Sequence, residues 1–514
     1  MNRREFLKFS SCGVSFVAVG STLPLLLRGN PAYAQLAPGS ALELDMVEVD
    51  AEMVDQVRVP MWAFEIDDSS PIGAPELLGL PRIPGPALFA LEGDTIRLRV
   101  RNRIPNGGPH AFAIPGVVQT EPLEDGDREI VEFTAPKPGT YVYLDPLNAP
   151  VNRVMGLHGV LVVLPNPVGN FTPYSDPTPR VRDLFNDLGR ADRGFPGHPW
   201  DSARNAIWVF STVDPVKNAA AFDSEAGLSP EAFRQGYLPQ YFTINGKSGF
   251  FAAQHQHLEG DGEHTHENLL DRFTFDLQAN ISVSGRVGQP VLIRNVNAGL
   301  MWHSPHIHGN HVYYLARSNY LQGTRTVFDN LLMLDTWTNA PGDIEDMLLP
   351  FIRPPDIPGD RPVVDAQGVP VGRTAWPPVQ ERFPLFYPMH DHNEISNTAA
   401  GGNYPHGLAT HWQIDGDVDP LAAVIQVERA EYRVRSGRIV LEGRSSTPDI
   451  HLSLHPGNDT TTMLGEAPVD GQGRWSFRGR SLRALADRLV TLMFHDPADP
   501  AVVHASRTVR LNLR

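Results

Sequence analysis

The chain has 514 residues, long enough for two to four domains with sizeable cores. It carries 43 basic against 59 acidic residues and a formal charge of −16 at pH 7. That balance argues against nucleic acid or anionic lipid as a partner of the whole protein, because such affinity comes from Lys and Arg.

The first segment, "MNRREFLKFSSCGVSFVAVGSTLPLLLRGNPAYAQ", resembles a twin-arginine export signal. Arg3 and Arg4 precede Phe6, Leu7 and Lys8, an apolar run follows, and Ala32-Tyr33-Ala34 offers a small-x-small cleavage site. Cleavage is expected after Ala34, giving a periplasmic protein. A membrane anchor is the competing reading, but the apolar run is short, and no other span is apolar enough to cross a bilayer. Removing residues 1–34 takes away Arg3, Arg4, Lys8, Arg28 and Glu5, so the charge moves from −16 to −19. The one cysteine, Cys12, leaves with the signal, so the mature chain has no thiol, disulfide or Cys-bound metal.

Beyond the signal, short alternating runs predict strands: "TIRLRVRN" (95–102), "YVYL" (141–144), "VLIRNVN" (291–297) and "RIVLEG" (438–443). Glycine and proline, 45 and 47 in number, punctuate them as they do in β-sandwiches. Helical patterning is confined to places such as "RVRDLFNDL" (180–188) and "SLRALADRL" (481–489).

The sequence repeats itself. "EGDTIRLRVRN…GPHAFAIPG" (92–116) lines up with "VGQPVLIRNVN…SPHIHGNHV" (287–312), and "PGTYVYLDP" (138–146) with "RFPLFYPMHDH" (382–392). "VMGLHGVLVV" (154–163) lines up with "YPHGLATHWQI" (404–414). An all-β chain follows: related sandwiches over 35–166 and 200–418, a linker over 167–199, and a third, immunoglobulin-like sandwich over 419–514.

"MWHSPHIHGNHVYYLA" (301–316) places His303, His306, His308 and His311 within nine positions, and "FYPMHDHNEIS" (386–396) adds His390 and His392. Alternate residues of a strand share a face, so His306 and His308 form one couple, His390 and His392 another. One isolated H-x-H reads as polar strand decoration. Two at matching repeat positions predict a bound metal, because four convergent imidazoles without an ion would each need another partner. All-imidazole ligation suits copper first, then zinc. A further cluster, His255, His257, His264 and His266 among four carboxylates, reads as a surface loop or as a loop covering the metal site.

H-S-P-H-I-H-G followed by H-D-H resembles the last-domain motifs of multicopper oxidases, normally H-x-x-H-x-H-G and H-C-H-x-x-x-H. "YFTINGKS" (241–248) and "LDTW" (334–337) share the likeness, which covers roughly 35–418. The resemblance implies cupredoxin domains, copper, and one-electron oxidation of a small reductant coupled to dioxygen. It makes His306, His308, His390 and His392 the last-domain ligands of the oxygen-reducing cluster. In the first domain His110 remains at a ligand position, while Phe112, Leu144 and Pro146 replace the others. His110 is then either a fifth ligand or a surface residue, and one or two copper ions are expected rather than a complete trinuclear centre.

Asp391 stands where the family has its blue-copper cysteine and Ser396 where it has a histidine, so no blue centre is possible. His303 matches the other blue-copper histidine. His303, Asp391 and His406 are a candidate two-histidine, one-carboxylate set for iron, and a metal-free His303–Asp391 hydrogen bond is the competing reading. Electrons from the reductant would enter at the histidine-bound metal or through Asp391 and His303, the candidate catalytic pair. Competing functions are a non-catalytic copper-binding or sequestering protein and a copperless envelope scaffold. An oligomer is compatible with every reading and required by none.

Overall fold

The computed structural model describes residues 33–35, 41–67, 79, 81–165, 169–202, 204–249, 252, 281–354, 360–375, 383–400, 402, 406–418, 425–445, 450–457, 462–481, 488–495 and 503–514. Residues 1–32 of the expected signal 1–34, the histidine-rich segment 255–266 and residues 482–487 of the helical stretch read at 481–489 lie outside the described residues; Tyr33 and Ala34 fall in a strand. Among the described residues no helix is long and apolar enough to cross a membrane.

The protein is mostly β, built from pairs of sheets around separate cores. In the first part, β1 (Tyr33–Gln35), β4 (Ala87–Leu91), β6 (Ala113–Ile114), β7 (Val118–Gln119), β9 (Gly139–Leu144) and β10 (His158–Leu164) form one sheet in the order β1-β4-β10-β9-β6-β7. β2 (Ala41–Glu52), β3 (Arg58–Ile66), β5 (Thr95–Asn102) and β8 (Arg128–Thr134) form the other, in the order β3-β2-β5-β8. The predicted strand 95–102 is β5: Ile96, Leu98 and Val100 face a core holding Trp62, Phe64, Phe112 and Tyr143, while Arg97 and Arg101 face water or the rim.

The second part repeats the plan. β11 (Asn205–Val213), β12 (Tyr241–Ile244), β14 (Val291–Asn297), β16 (Val312–Asn319), β17 (Thr324–Leu334) and β18 (Asp343–Leu349) make a six-stranded sheet. β13 (Val283–Gly285), β15 (Pro305–Ile307), β21 (Leu385–Asp391) and β22 (Ala409–Ile414) make a four-stranded sheet, with β19 (Asp360–Val364) and β20 (Pro370–Ala375) a separate hairpin. Trp208, Trp337, Met389 and Trp412 fill the core between the two larger sheets.

In the last part, β23 (Ile425–Arg433), β24 (Arg438–Ser445), β27 (Arg474–Arg480) and β30 (Asn512–Leu513) face β25 (His451–Pro456), β26 (Gly465–Pro468), β28 (Leu489–His495) and β29 (Val503–Arg510). Tyr432, Leu441, Leu452, Trp475 and Phe494 pack between them.

The helical patterning read at 180–188 is α1 (Pro179–Asp187), capped by the Thr178 hydroxyl, and it lies within the segment expected as a linker. Its Val181, Leu184 and Phe185 pack with Trp200 on Leu292, Leu315 and Leu348 of the second part, so the segment is a built piece of the fold. The first two parts also share a dry seam, where Phe89, Val142, Val160 and Val162 meet Ile207, Val209, Val296 and Ile344. β10 and β11 are therefore covered on both faces and buried at every position, which explains their unbroken apolar runs.

Candidate metal centre

β15 runs antiparallel to β21, with His306 opposite His390 and Pro305 opposite Asp391. That register brings the two predicted couples together at one end of the second part. Ring centroids lie 4.4 Å apart for His306 and His308, 4.7 Å for His306 and His392, 5.2 Å for His390 and His392, and 5.3 Å for His308 and His390. Gly309, at φ +83°, turns the chain after His308 under the Tyr387 ring, where a Cβ would meet ring carbon at 2.5 Å. The Trp412 indole N–H donates to the His308 carbonyl at 2.7 Å and fixes that turn.

Hydrogen bonds decide which nitrogens are free. His390 Nδ1 lies 3.0 Å from the Asp391 carbonyl, and His306 Nδ1 lies 3.0 Å from the Asp335 carbonyl and 2.8 Å from the Thr336 hydroxyl. A carbonyl can only accept, so both rings donate through Nδ1 and keep a lone pair on Nε2. That is the arrangement found around metal-bound histidines, whose second nitrogen is held by a carbonyl. The "LDTW" stretch noted in the sequence supplies Asp335 and Thr336, which had no assigned role there. Burial lowers the pKa of His306 and His308, and the neighbouring imidazoles lower it further, against the opposing pull of Asp335. Neutral rings are the form that binds metal.

His308 Nε2 and His390 Nε2 are 3.2 Å apart. Two nitrogens each about 2.0–2.1 Å from one tetrahedral ion sit about 3.3 Å from each other. That spacing suits one ion when both Nε2 atoms carry lone pairs, and a hydrogen bond from His308 to His390 when His308 keeps its Nε2 proton. His306 and His392 lie beside the pair without converging: among the described residues no group of three or more His, Cys, Asp or Glu side chains is arranged to hold a metal. The donor chemistry fits copper or zinc, and the geometry supplies two nitrogens of the set.

Behind this cluster His303 and Asp391 are fully buried and joined at 2.6 Å, Nδ1 donating to Oδ2. Ser396 donates to the same oxygen; the Ser304 and Asn393 amides donate to Oδ1 at 2.6 and 3.2 Å. Four donors occupy the four lone-pair positions of one carboxylate. Burial would raise the Asp391 pKa, but the bonds from His303, Ser396 and Ser304 outweigh it and hold it below the usual range. Nothing remains on Asp391 for an ion, and His406 makes no contact with either partner among the interactions of the described residues. Of the two readings of this pair, the described residues show the His303–Asp391 hydrogen bond.

His110 corrects the repeat. It is fully buried, not on the surface, and Nδ1 bonds Asp145 Oδ2 at 2.7 Å. The amides of Ala111 and Leu147 reach Asp145 Oδ1 at 3.2 and 2.9 Å, and Asn152 donates to Oδ2 at 2.8 Å. Each bond has a counterpart around His303 and Asp391. His110 also bridges Leu123 as His303 bridges Asn339. It is thus the structural equivalent of His303, three residues from the alignment by "GPH" and "SPH". Ala113 and Leu144 occupy the positions of His306 and His390. The first part supplies no imidazole to the cluster.

No family model matches the chain. Over 94 residues it is 35% identical to a copper-containing nitrite reductase from Alcaligenes xylosoxydans xylosoxydans, a stretch covering 16% of this chain and 28% of that protein. The chain resembles the multicopper oxidases and copper nitrite reductases. The match spans little more than a quarter of that relative's length. Among solved structures, the blue copper oxidase from Nitrosomonas europaea superposes with a TM-score of 0.45 at 17% identity, over 74% of this chain and 86% of that one. The copper nitrite reductase from the same organism gives 0.42 at 16% identity, over 76% and 96%.

Proposed function

We propose that the protein is an exported copper-binding oxidoreductase without a blue centre, whose one or two metal ions are seated first on His308 and His390, with His306 and His392 beside them turning in as further ligands when the metal binds. On this reading 35–166 and 200–418 are cupredoxin-like domains, 419–514 is immunoglobulin-like, and the twin-arginine signal delivers the folded chain to the periplasm. The 3.2 Å approach of His308 Nε2 to His390 Nε2 is the observation that carries the reading. Copper bound there would supply one-electron redox chemistry toward a small reductant and dioxygen.

The chain's own residues have definable tasks. The Asp335 and Asp391 carbonyls hold His306 and His390 through Nδ1, which leaves both Nε2 lone pairs free for a metal. Asp335, half exposed and 3.9 Å from His306 Nδ1, is placed to hold a proton at the open side. Asp391 and His303 act as positioning residues: their buried bond fixes the end of β21 from which His390 and His392 project.

The exposure of His308 and His392 favours a second reading, a copper-sequestering protein without turnover. Metal analysis and electron paramagnetic resonance of copper-loaded wild type and His390→Ala separate the cases. Wild type should bind copper with nitrogen hyperfine structure, and His390→Ala should lose most of it. Equal copper in both would sink the site. Bound copper with no oxidation of small reductants would leave sequestration.

A further inference from the structure

The last part of the chain departs in charge from the rest. Residues 419–514 contain thirteen arginines, no lysine and eleven carboxylates, a net +2 within a chain of −16. Nine of the thirteen arginines lie on or beside the β23–β24–β27–β30 sheet, while Arg507 is buried and Arg510 pairs with Asp94. Across the β24–β27 ladder Arg438 lies opposite Arg480 and Arg444 opposite Arg474. Like charges directly opposite one another destabilise a sheet; Arg444 is met by Glu428, and the Arg438–Arg480 pair is left as a cost that a bound anion would relieve.

Carboxylates on this face are already engaged. Glu428 pairs with Arg444 at 2.9 Å, Glu431 with Arg429 at 3.0 Å and Arg514 at 3.4 Å, and Glu442 with Arg429 at 3.4 Å and Arg478 at 3.5 Å. Arg433, Arg435, Arg438, Arg474 and Arg480 enter no ion pair among the described residues. At the β23–β24 turn, Arg433 and Arg435 flank Val434, which is 50% exposed. The C-terminal Leu513, 51% exposed, and Arg514 lie alongside. Arg429, Arg433, Val434, Arg435, Ser436 and Arg514 border one open depression there, together with Glu431, whose charge Arg429 and Arg514 already engage.

Guanidinium forks match phosphate oxygens two at a time. Exposed aliphatic side chains between cations add what a flexible soluble polyanion would not need, an apolar contact with the acyl boundary. Charges on the acidic sandwiches act weakly beyond a Debye length of about 8 Å in physiological salt, so the local face governs the encounter. We propose that this arginine face docks the protein on an anionic phospholipid bilayer.

The test uses the full mature protein and sedimentation with vesicles of phosphatidylglycerol and phosphatidylcholine, or of phosphatidylcholine alone. Binding should be selective for the anionic vesicles and weaken with salt. An Arg433→Ser/Arg435→Ser/Arg480→Ser variant should bind roughly a hundredfold more weakly, at about tenfold or less per arginine. Its melting temperature should not fall, since all three side chains are exposed and Arg480→Ser removes a like-charge pair. Val434→Ser/Leu513→Ser should weaken vesicle binding while leaving any binding to soluble heparin intact. Failure to bind anionic vesicles, or equal binding by the arginine variant, overturns the proposal. So does a Val434→Ser/Leu513→Ser protein that binds vesicles as wild type does, which would assign the face to a soluble polyanion.

Discussion

Ala113 lies opposite Leu144 in the first sandwich at the register where His306 lies opposite His390 in the second. The two halves keep the same backbone plan, yet only one keeps imidazoles on it. Removal of His110 should therefore leave metal content unchanged. It should cost about 2–4 kcal/mol of stability, because Asp145 loses its buried partner. His308→Ala should do the reverse, losing metal with little change in stability, since that ring is exposed. Metal analysis beside urea denaturation of both variants checks the pair of outcomes.

Asp391 collects four donors in a buried pocket. Asp391→Ala strands the His303 Nδ1–H, the Ser304 and Asn393 amides and the Ser396 hydroxyl, and should cost about 3–5 kcal/mol. Asp391→Asn keeps the shape and one acceptor oxygen and should cost less. If Asp391→Ala melts like wild type, the carboxylate does not hold this end of β21.

His158 sits at the seam, donating to the Arg153 carbonyl at 2.8 Å and accepting from the Ser211 hydroxyl at 3.2 Å. Burial pushes its pKa down to about 4, against the raising effect of the Arg153 carbonyl. Between pH 6.5 and 4 the unfolded chain thus binds more protons than the folded one, so stability falls as pH falls. The loss across that window is about 3 kcal/mol. His158→Gln should flatten this acid limb in a plot of melting temperature against pH, and an unchanged limb would assign it to other groups.

Glu345 behaves in the opposite sense. Burial raises its pKa to about 8, while Tyr314 at 2.7 Å and Asn339 at 2.9 Å pull it back. Its contribution to stability is full below the unfolded value near 4.5 and is lost as pH rises toward 8, by roughly 1.4 kcal/mol per pH unit. Glu345→Gln stays neutral, and its amide can turn toward the Tyr314 oxygen. The variant should gain on wild type from pH 6 to about 8 in thermal melts and level off above that.

Much of the candidate site was legible because it is local. An H-x-H couple on a strand fixes its own facing, and the missing cysteine is a fact of composition. The place of His110 was not legible, because residue identity favours aligning its "GPH" with "SPH". Its true register is set by the ladder between β6 and β9, made by residues some thirty positions apart. The arginine face was hidden by averaging, since net charge over the whole chain masks a basic sheet at one end. Asp335 and Thr336 were visible only as part of a familiar tetrapeptide, because their task is to support His306 from another strand.

The seam also bears on what the histidine-poor half contributes. The buried Arg153 guanidinium crosses it to the Ala298 and Gly299 carbonyls and the Tyr320 hydroxyl, with apolar strands pressed together around it. A fragment cut down to the imidazole-bearing half would keep every proposed ligand, yet it would turn the flank of β11 out to solvent and aggregate. The first half supplies none of the proposed ligands and stands as the wall that keeps the second half folded and soluble.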